Sequence, residues 1–145
     1  MFALLPLSFA EVGEWIKKAD TSTAYYGLAT SVVNRRIYAI GGHAGAQFYS
    51  TVEEYDPATD TWTRKTDMPT ARNGLSTSVV DRKIYAISGL SHDDSFLSTI
   101  EVYNPATDTW TTEPNMMPTT RGGLSTTWWM VGSTQSESVQ VHGQK

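Results

Sequence analysis

The sequence predicts an all-β repeat protein, and three observations carry that reading. A unit of about 47 residues recurs along the chain. Within it, short runs rich in β-branched and aromatic residues are bounded by Gly, Pro, Asn and Asp. No segment has a convincing helical period. Trp15, Trp62 and Trp110 are 47 and 48 residues apart, and Gly27-Leu28, Gly74-Leu75 and Gly123-Leu124 follow them at a nearly constant offset. Aligning residues 15–61 with 62–109 needs one inserted residue and leaves about 27 of 47 positions identical, far more than chance supplies. A period of this size marks units that are stacked or arranged radially.

Each unit is expected to form four short strands. Residues 1–10 (MFALLPLSFA) lie outside the repeat. Their apolar stretch and the small residues Ser8 and Ala10 fit a signal-peptide remnant, whereas Pro6 and the missing basic start fit an apolar stub packing on the first unit. The stretch is too short to span a membrane. Residues 11–20 match Thr61 to Asp67, so the chain enters in a fourth, outermost strand. The pattern is clearest in the next full unit. Its first strand is Leu75 to Val80 and its second is Lys83 to Ile87, ending at Ser88-Gly89 where the earlier unit has Gly41-Gly42. The third is Thr99 to Tyr103, in which Ile100 and Val102 alternate with Thr99 and Glu101. Asn104 to Asp108 is a turn, because Pro105 cannot donate to a ladder and Asn and Asp bond their own backbone. The fourth strand begins at Thr109-Trp110. Met68-Pro69 and Met117-Pro118 close the two units.

These residues resemble the kelch repeat, whose pattern is a glycine doublet after an apolar strand, then a tyrosine, then a tryptophan about seven residues on. Gly41-Gly42, Tyr55 and Trp62 match it in one unit. Gly89, Tyr103 and Trp110 match it in the next, with Ser88 in place of the first glycine. The resemblance covers roughly residues 11–127. It implies an incomplete kelch-type β-propeller: two complete four-stranded antiparallel blades (about 21–67 and 68–115) with partial blade strands at each end. Trp62, Tyr85, Ile87 and Tyr103 are the expected blade-to-blade core. Propellers have four to eight blades, so 145 residues cannot close one alone, and the chain reads as a fragment of a longer propeller.

Residues 128–145 break the repeat. Trp128-Trp129-Met130 has a single possible codon string. Shifted by one base, it can encode Val-Val-Asp, the continuation that Val79-Val80-Asp81 leads one to expect. One reading is therefore an out-of-frame translation of a third unit from Trp128 to Lys145, with Ser133 to Lys145 a disordered tail. The other is a genuine divergent end strand. The coding DNA separates them.

Composition narrows the chemistry. The net charge is −4, with no basic excess to hold a nucleic-acid backbone. The chain has no cysteine, which excludes disulfides, thiolate metal sites and the tyrosine–cysteine cofactor of a galactose oxidase-like fold. The compartment stays open. His43, His92 and His142 have no metal-ligand spacing. Asp60-Thr61-Trp62 superficially resembles a sialidase Asp box but lacks its glycine. Of Glu53, Glu54 and Glu101, Glu53 and Glu101 occupy one repeated position, which points to structure, since an active site is ordinarily assembled once. No phosphate loop or nucleophile elbow occurs. No catalytic, cofactor or metal residues are assigned.

A non-catalytic protein-interaction scaffold is the expected function. One loop diverges on a nearly constant frame: His43-Ala44-Gly45-Ala46-Gln47 against Leu90-Ser91-His92-Asp93-Asp94-Ser95. Partner-binding candidates are His43, His92, Asp93 and Asp94, with Arg72, Arg121 and Tyr25 placed just before the innermost strands. For the arginines, pairing with nearby carboxylates is the equal alternative. The rival functions are a propeller enzyme acting on a sugar through residues on other blades, and a homo-oligomer assembled through open blade edges.

Overall fold

The computed structural model describes residues 15–114, 125–130 and 137–142. All regular structure among them is β. One four-stranded sheet contains β1 (Ala29–Val33), β2 (Arg36–Ile40), β5 (Val52–Asp56) and β6 (Thr61–Arg64), with the small hairpin β3 (His43–Ala44) and β4 (Gln47–Phe48) set into the loop between its second and third strands. The next contains β7 (Ser76–Val80), β8 (Lys83–Ile87), β9 (Ile100–Asn104) and β10 (Thr109–Thr112). Each sheet is antiparallel and runs in chain order. These are two kelch-type blades, and the sheets do not close into a ring among the described residues.

The same local devices build both blades. The first two strands join through two-residue hairpins whose central residues all have positive φ: Asn34 and Arg35, then Asp81 and Arg82. That geometry matches the right-handed strand twist. The third and fourth strands join through a turn in which Asp56 or Asn104 accepts from the amide two residues on, at Ala58 or Ala106. Each such turn ends in a left-handed aspartate, Asp60 or Asp108. The middle strands are covered on both faces, whereas the outermost strands β6 and β10 face water on most positions.

The blades pack face to face. Val33, Tyr38, Ile40 and Val52 of the first meet Ile84, Ala86 and Tyr103 of the second, with Met68 and Leu75 closing the junction. Tyr38 and Tyr103 meet edge to face at 5.9 Å. Each fully buried aliphatic side chain contributes roughly 1.5–3 kcal/mol. β1 lies beside β7 and β7 beside β11 (Ser125–Met130), so the innermost strands form a series. Ser31 Oγ donates to Thr77 Oγ1 at 2.9 Å across the first of these junctions.

The rim is held by a repeated clamp. Trp110 Nε1 donates to the Thr66 carbonyl at 2.9 Å, the Thr66 amide donates to Asp108 Oδ1 at 2.9 Å, and the Tyr103 hydroxyl donates to the same carboxylate at 2.6 Å. One repeat earlier, Trp62 holds the Ala19 carbonyl, Asp60 takes the Ala19 amide, and Tyr55 donates to Asp60. Residues 15–20 therefore stand to the first blade as the end of its fourth strand stands to the second. They have no ladder partner among the described residues, because the third strand they would pair with has no counterpart there.

Two expectations change. Trp62 and Trp110 are half-buried, not central: they sit on the wet outer strands, cover Tyr55 and Tyr103 at 5.0 Å, and reach the neighbouring blade through Nε1. Tyr85 is half-buried too, while Ile87 and Tyr103 are fully buried. The expected disordered tail contains a strand, β12 (Glu137–His142), paired antiparallel with β11 from Ser125↔His142 to Met130↔Glu137. Ser138 to His142 alternates polar with valine, a strand period that outweighs the polar composition around it.

Candidate interaction surface

The loops leaving the second strands bring four rings into a row. The turn at Gly41 and Gly42 makes this possible. Both have positive φ, and a Cβ on Gly41 would lie 2.6 Å from the Arg72 carbonyl. The close approach lets the Gly42 amide donate to that carbonyl at 2.8 Å, tying one blade's loop to the entry of the next. Beyond the turn, Tyr26 and His43 exchange two backbone hydrogen bonds of 2.8 Å. Their rings lie 5.9 Å apart; His43 and Phe48 are also 5.9 Å apart; and Phe48 meets His92 of the second blade edge to face at 6.5 Å. Tyr26 is 72 % exposed. Phe96, the repeat mate of Phe48, is exposed as well.

His43 and His92, chosen from the sequence as separate loop residues, thus flank one phenylalanine across the blade boundary. His43 Nδ1 also lies 3.2 Å from the Gly45 carbonyl. Asp93 is the hub of the second loop: the hydroxyls of Ser91 and Ser95 and the Ser95 amide donate to its carboxylate, which holds its pKa down at about 2. Asp94, next in sequence, is exposed and left-handed. Tyr26 and Phe48 were absent from the sequence-derived candidates. The signal for Phe48 was present as an aromatic repeated at 48 and 96 inside the divergent loop.

Arg72 belongs elsewhere. Its side chain is fully buried, 2.8 Å from Glu101, and it donates to the carbonyls of Ser88 (2.9 Å), Thr99 (3.3 Å) and Thr70 (3.3 Å). Burial pulls its pKa down and Glu101 pushes it back up; a guanidinium stays charged under both influences. A group so enclosed offers no donor to a partner, so of the two sequence readings the geometry matches the carboxylate pairing. Tyr25 fills the equivalent place in the first blade. Its hydroxyl donates to Glu53 at 2.6 Å, Ser22 donates to the same carboxylate, and burial and Glu53 together push the Tyr25 pKa well up. The buried repeated glutamates are thus structural anchors with different partners. Arg121 lies outside the described residues, as does the description of the His142 side chain.

The electrostatics of the face follow. Segments 22–28, 41–51, 69–74 and 88–99 contain one Arg, which is buried and paired, and no Lys. Asp93 and Asp94 are the remaining fixed charges of these segments. No group of three or more His, Asp or Glu side chains suited to a metal occurs among the described residues. No helix among them is long and apolar enough to cross a membrane.

A search of curated proteins finds no match to this chain. The family model described as the Kelch motif matches residues 24–69 and again 71–117. Those two spans cover both blades and more than half of the sequence, so the chain belongs to the kelch-motif family.

Proposed function

We propose that the chain is a non-catalytic protein-interaction scaffold whose partner-facing region is the loop surface across the two blades. The observation that carries this reading is the row Tyr26, His43, Phe48 and His92, assembled from three separate chain segments, with Tyr26 and His92 exposed and His43 and Phe48 half-buried between them. Exposed aromatic groups on loops, supported by a packed sheet, favour macromolecular recognition. Peptide-display selection against the immobilised chain tests it. Selected binders should lose affinity when Tyr26 and His92 are replaced by alanine and keep it when Thr63 and Thr111 on the outer strands are replaced. Binders that map only to the outer strands would overturn the proposal, as would turnover of a glycoside by the purified chain.

A second reading, self-association, is favoured by one contrast. Val32 on β1 is 62 % exposed, whereas its repeat mate Val79 is half-covered by the first blade. The same face carries Thr30, Ile37, Ala39, Tyr55 and Trp62, the counterparts of the surface that packs between blades. It would accept a blade from a second copy. Sedimentation separates the readings: a monomer that Val32→Asp does not alter refutes self-association, and a discrete oligomer dispersed by that substitution supports it.

A further inference from the structure

We propose that the aromatic row takes a basic polypeptide segment, one presenting Lys or Arg beside an apolar side chain; this rests on the scaffold reading and narrows it. The rings supply the first half of the argument. Tyr26 is 72 % exposed and Phe96 52 % exposed, while Phe48 stands half-buried between the two imidazoles. Such faces bury apolar side chains and attract cations held over them. Charge supplies the second half. Among the described residues, the surrounding segments offer a partner no Lys or Arg of their own: the guanidinium of Arg72 is enclosed and spent on Glu101. What remains is Asp93, kept ionised by three donors from Ser91 and Ser95, and the exposed Asp94.

The carboxylates and the rings are connected. His92 touches Phe48, and Asp93 and Asp94 follow His92 in a loop closed by Ser91 and Ser95. That closure fixes the Asp93 carboxylate and the backbone of the exposed Asp94 in the loop that starts at His92, at one end of the row. An acidic partner would meet like charge there, and a neutral one would leave the carboxylates without a counterpart. A cationic side chain placed at that end satisfies both features together.

The test uses the full chain and three fluorescein-labelled twelve-residue peptides: alternating Arg and Leu, alternating Glu and Leu, and alternating Ser and Leu. Fluorescence anisotropy at physiological salt should show the Arg-Leu peptide binding at least about tenfold more tightly than the others. Tyr26→Ala with Phe48→Ala should weaken it by about tenfold or more. Asp94→Asn, which leaves the Ser91–Asp93–Ser95 turn in place, should weaken it severalfold and flatten its salt dependence. Circular dichroism and unfolding midpoints verify that each variant is folded. Equal or tighter binding of the Glu-Leu or Ser-Leu peptide, lost in the Tyr26 variant, overturns the basic-partner inference and leaves the scaffold reading standing. Binding of a neutral oligosaccharide in place of any peptide overturns both. Arg-Leu binding that neither the ring nor the Asp94 substitution alters overturns the placement. Absence of binding by all three peptides overturns the inference too.

Discussion

Arg72→Met should be among the most damaging single substitutions in this protein. Methionine keeps the length and apolar character of the arginine stem and removes the charged head. Glu101, 2 % exposed, would lose its counterion and keep the Thr70 hydroxyl at 2.7 Å. The carbonyls of Ser88 and Thr99 would lose their guanidinium donor. Breaking a buried ion pair by removing one partner costs about 3–5 kcal/mol. Urea slopes for small proteins are about 1–3 kcal/mol per molar, so the midpoint should fall by at least about 1 M. Tryptophan fluorescence follows the transition. Adding Glu101→Leu to Arg72→Met removes the stranded charge and should recover much of the loss, giving strong coupling in a double-mutant cycle. Arg72→Met costing under about 1 kcal/mol, or a cycle in which the two effects simply add, would refute the reasoning. The backbone of Arg72 accepts from Gly42 and donates to Tyr49 at 3.1 Å, so loosening this residue should also relax the turn beneath the aromatic row.

Gly41→Ser should cost about 1–3 kcal/mol of stability by thermal unfolding, because φ is +68° and the Arg72 carbonyl stands 2.6 Å from the new Cβ. Ser88→Gly at the equivalent site should change it by about 1 kcal/mol or less, since glycine relieves the φ of +60° there and offsets the lost hydrogen bond to the Leu97 carbonyl. Trp110→Phe should cost about 1 kcal/mol by urea unfolding, the worth of the Nε1 bond to Thr66, with the ring contact to Tyr103 largely kept. The Ala19 amide and the Tyr55 hydroxyl hold the Asp60 pKa below its ordinary value. A folded pKa below the unfolded one means stability that is present above about pH 4 and lost as pH falls through the folded value. Asp60→Asn should therefore flatten the acid limb of the unfolding midpoint, measured from pH 6 to pH 2.

The strands were legible because a sheet writes its period into the chain. Ile37-Tyr38-Ala39-Ile40 and Ile84-Tyr85-Ala86-Ile87 mark middle strands covered on both sides, and the repeated tryptophans mark the fourth strands, though not that their rings would lie at the rim and not in the core. What could not be read was which side chain each repeated position would meet. Glu53 and Glu101 look alike in sequence, yet one is held by Tyr25 and Ser22 and the other by Arg72 and Thr70. Those partners lie about 30 residues away and are set by how the blade entry folds back on the third strand. The ring row was hidden for a similar reason: Tyr26, Phe48 and His92 come from different segments, and only blade packing brings them together. Burial of Arg72 was equally a tertiary matter, since an arginine before an innermost strand can face either the channel or the blade.

The repeat itself divides structure from recognition. At positions that packing or the rim clamp holds, the two units are nearly interchangeable: Ile37 and Ile84, Ala39 and Ala86, Tyr55 and Tyr103 in the sheets, and Asp60 and Asp108 in the clamp. At the loop positions 26 and 43, built on the same backbone as 73 and 90, they differ. Tyr26 and Asn73 make the same paired amide bonds, to His43 and to Leu90. Phe48 and Phe96 make the same bridge, again to His43 and to Leu90. The hydrogen bonds there are satisfied whatever the side chain, so the backbone does not dictate a tyrosine at 26 or a histidine at 43. Nor does the core, since Tyr26 is mostly in water and its repeat mate is a small amide. An exposed tyrosine beside a histidine and a phenylalanine adds apolar surface that folding does not require. That excess over structural need separates Tyr26 and His43 from the rest of the blade surface, and it makes Tyr26 the position at which binding should be lost while the fold persists.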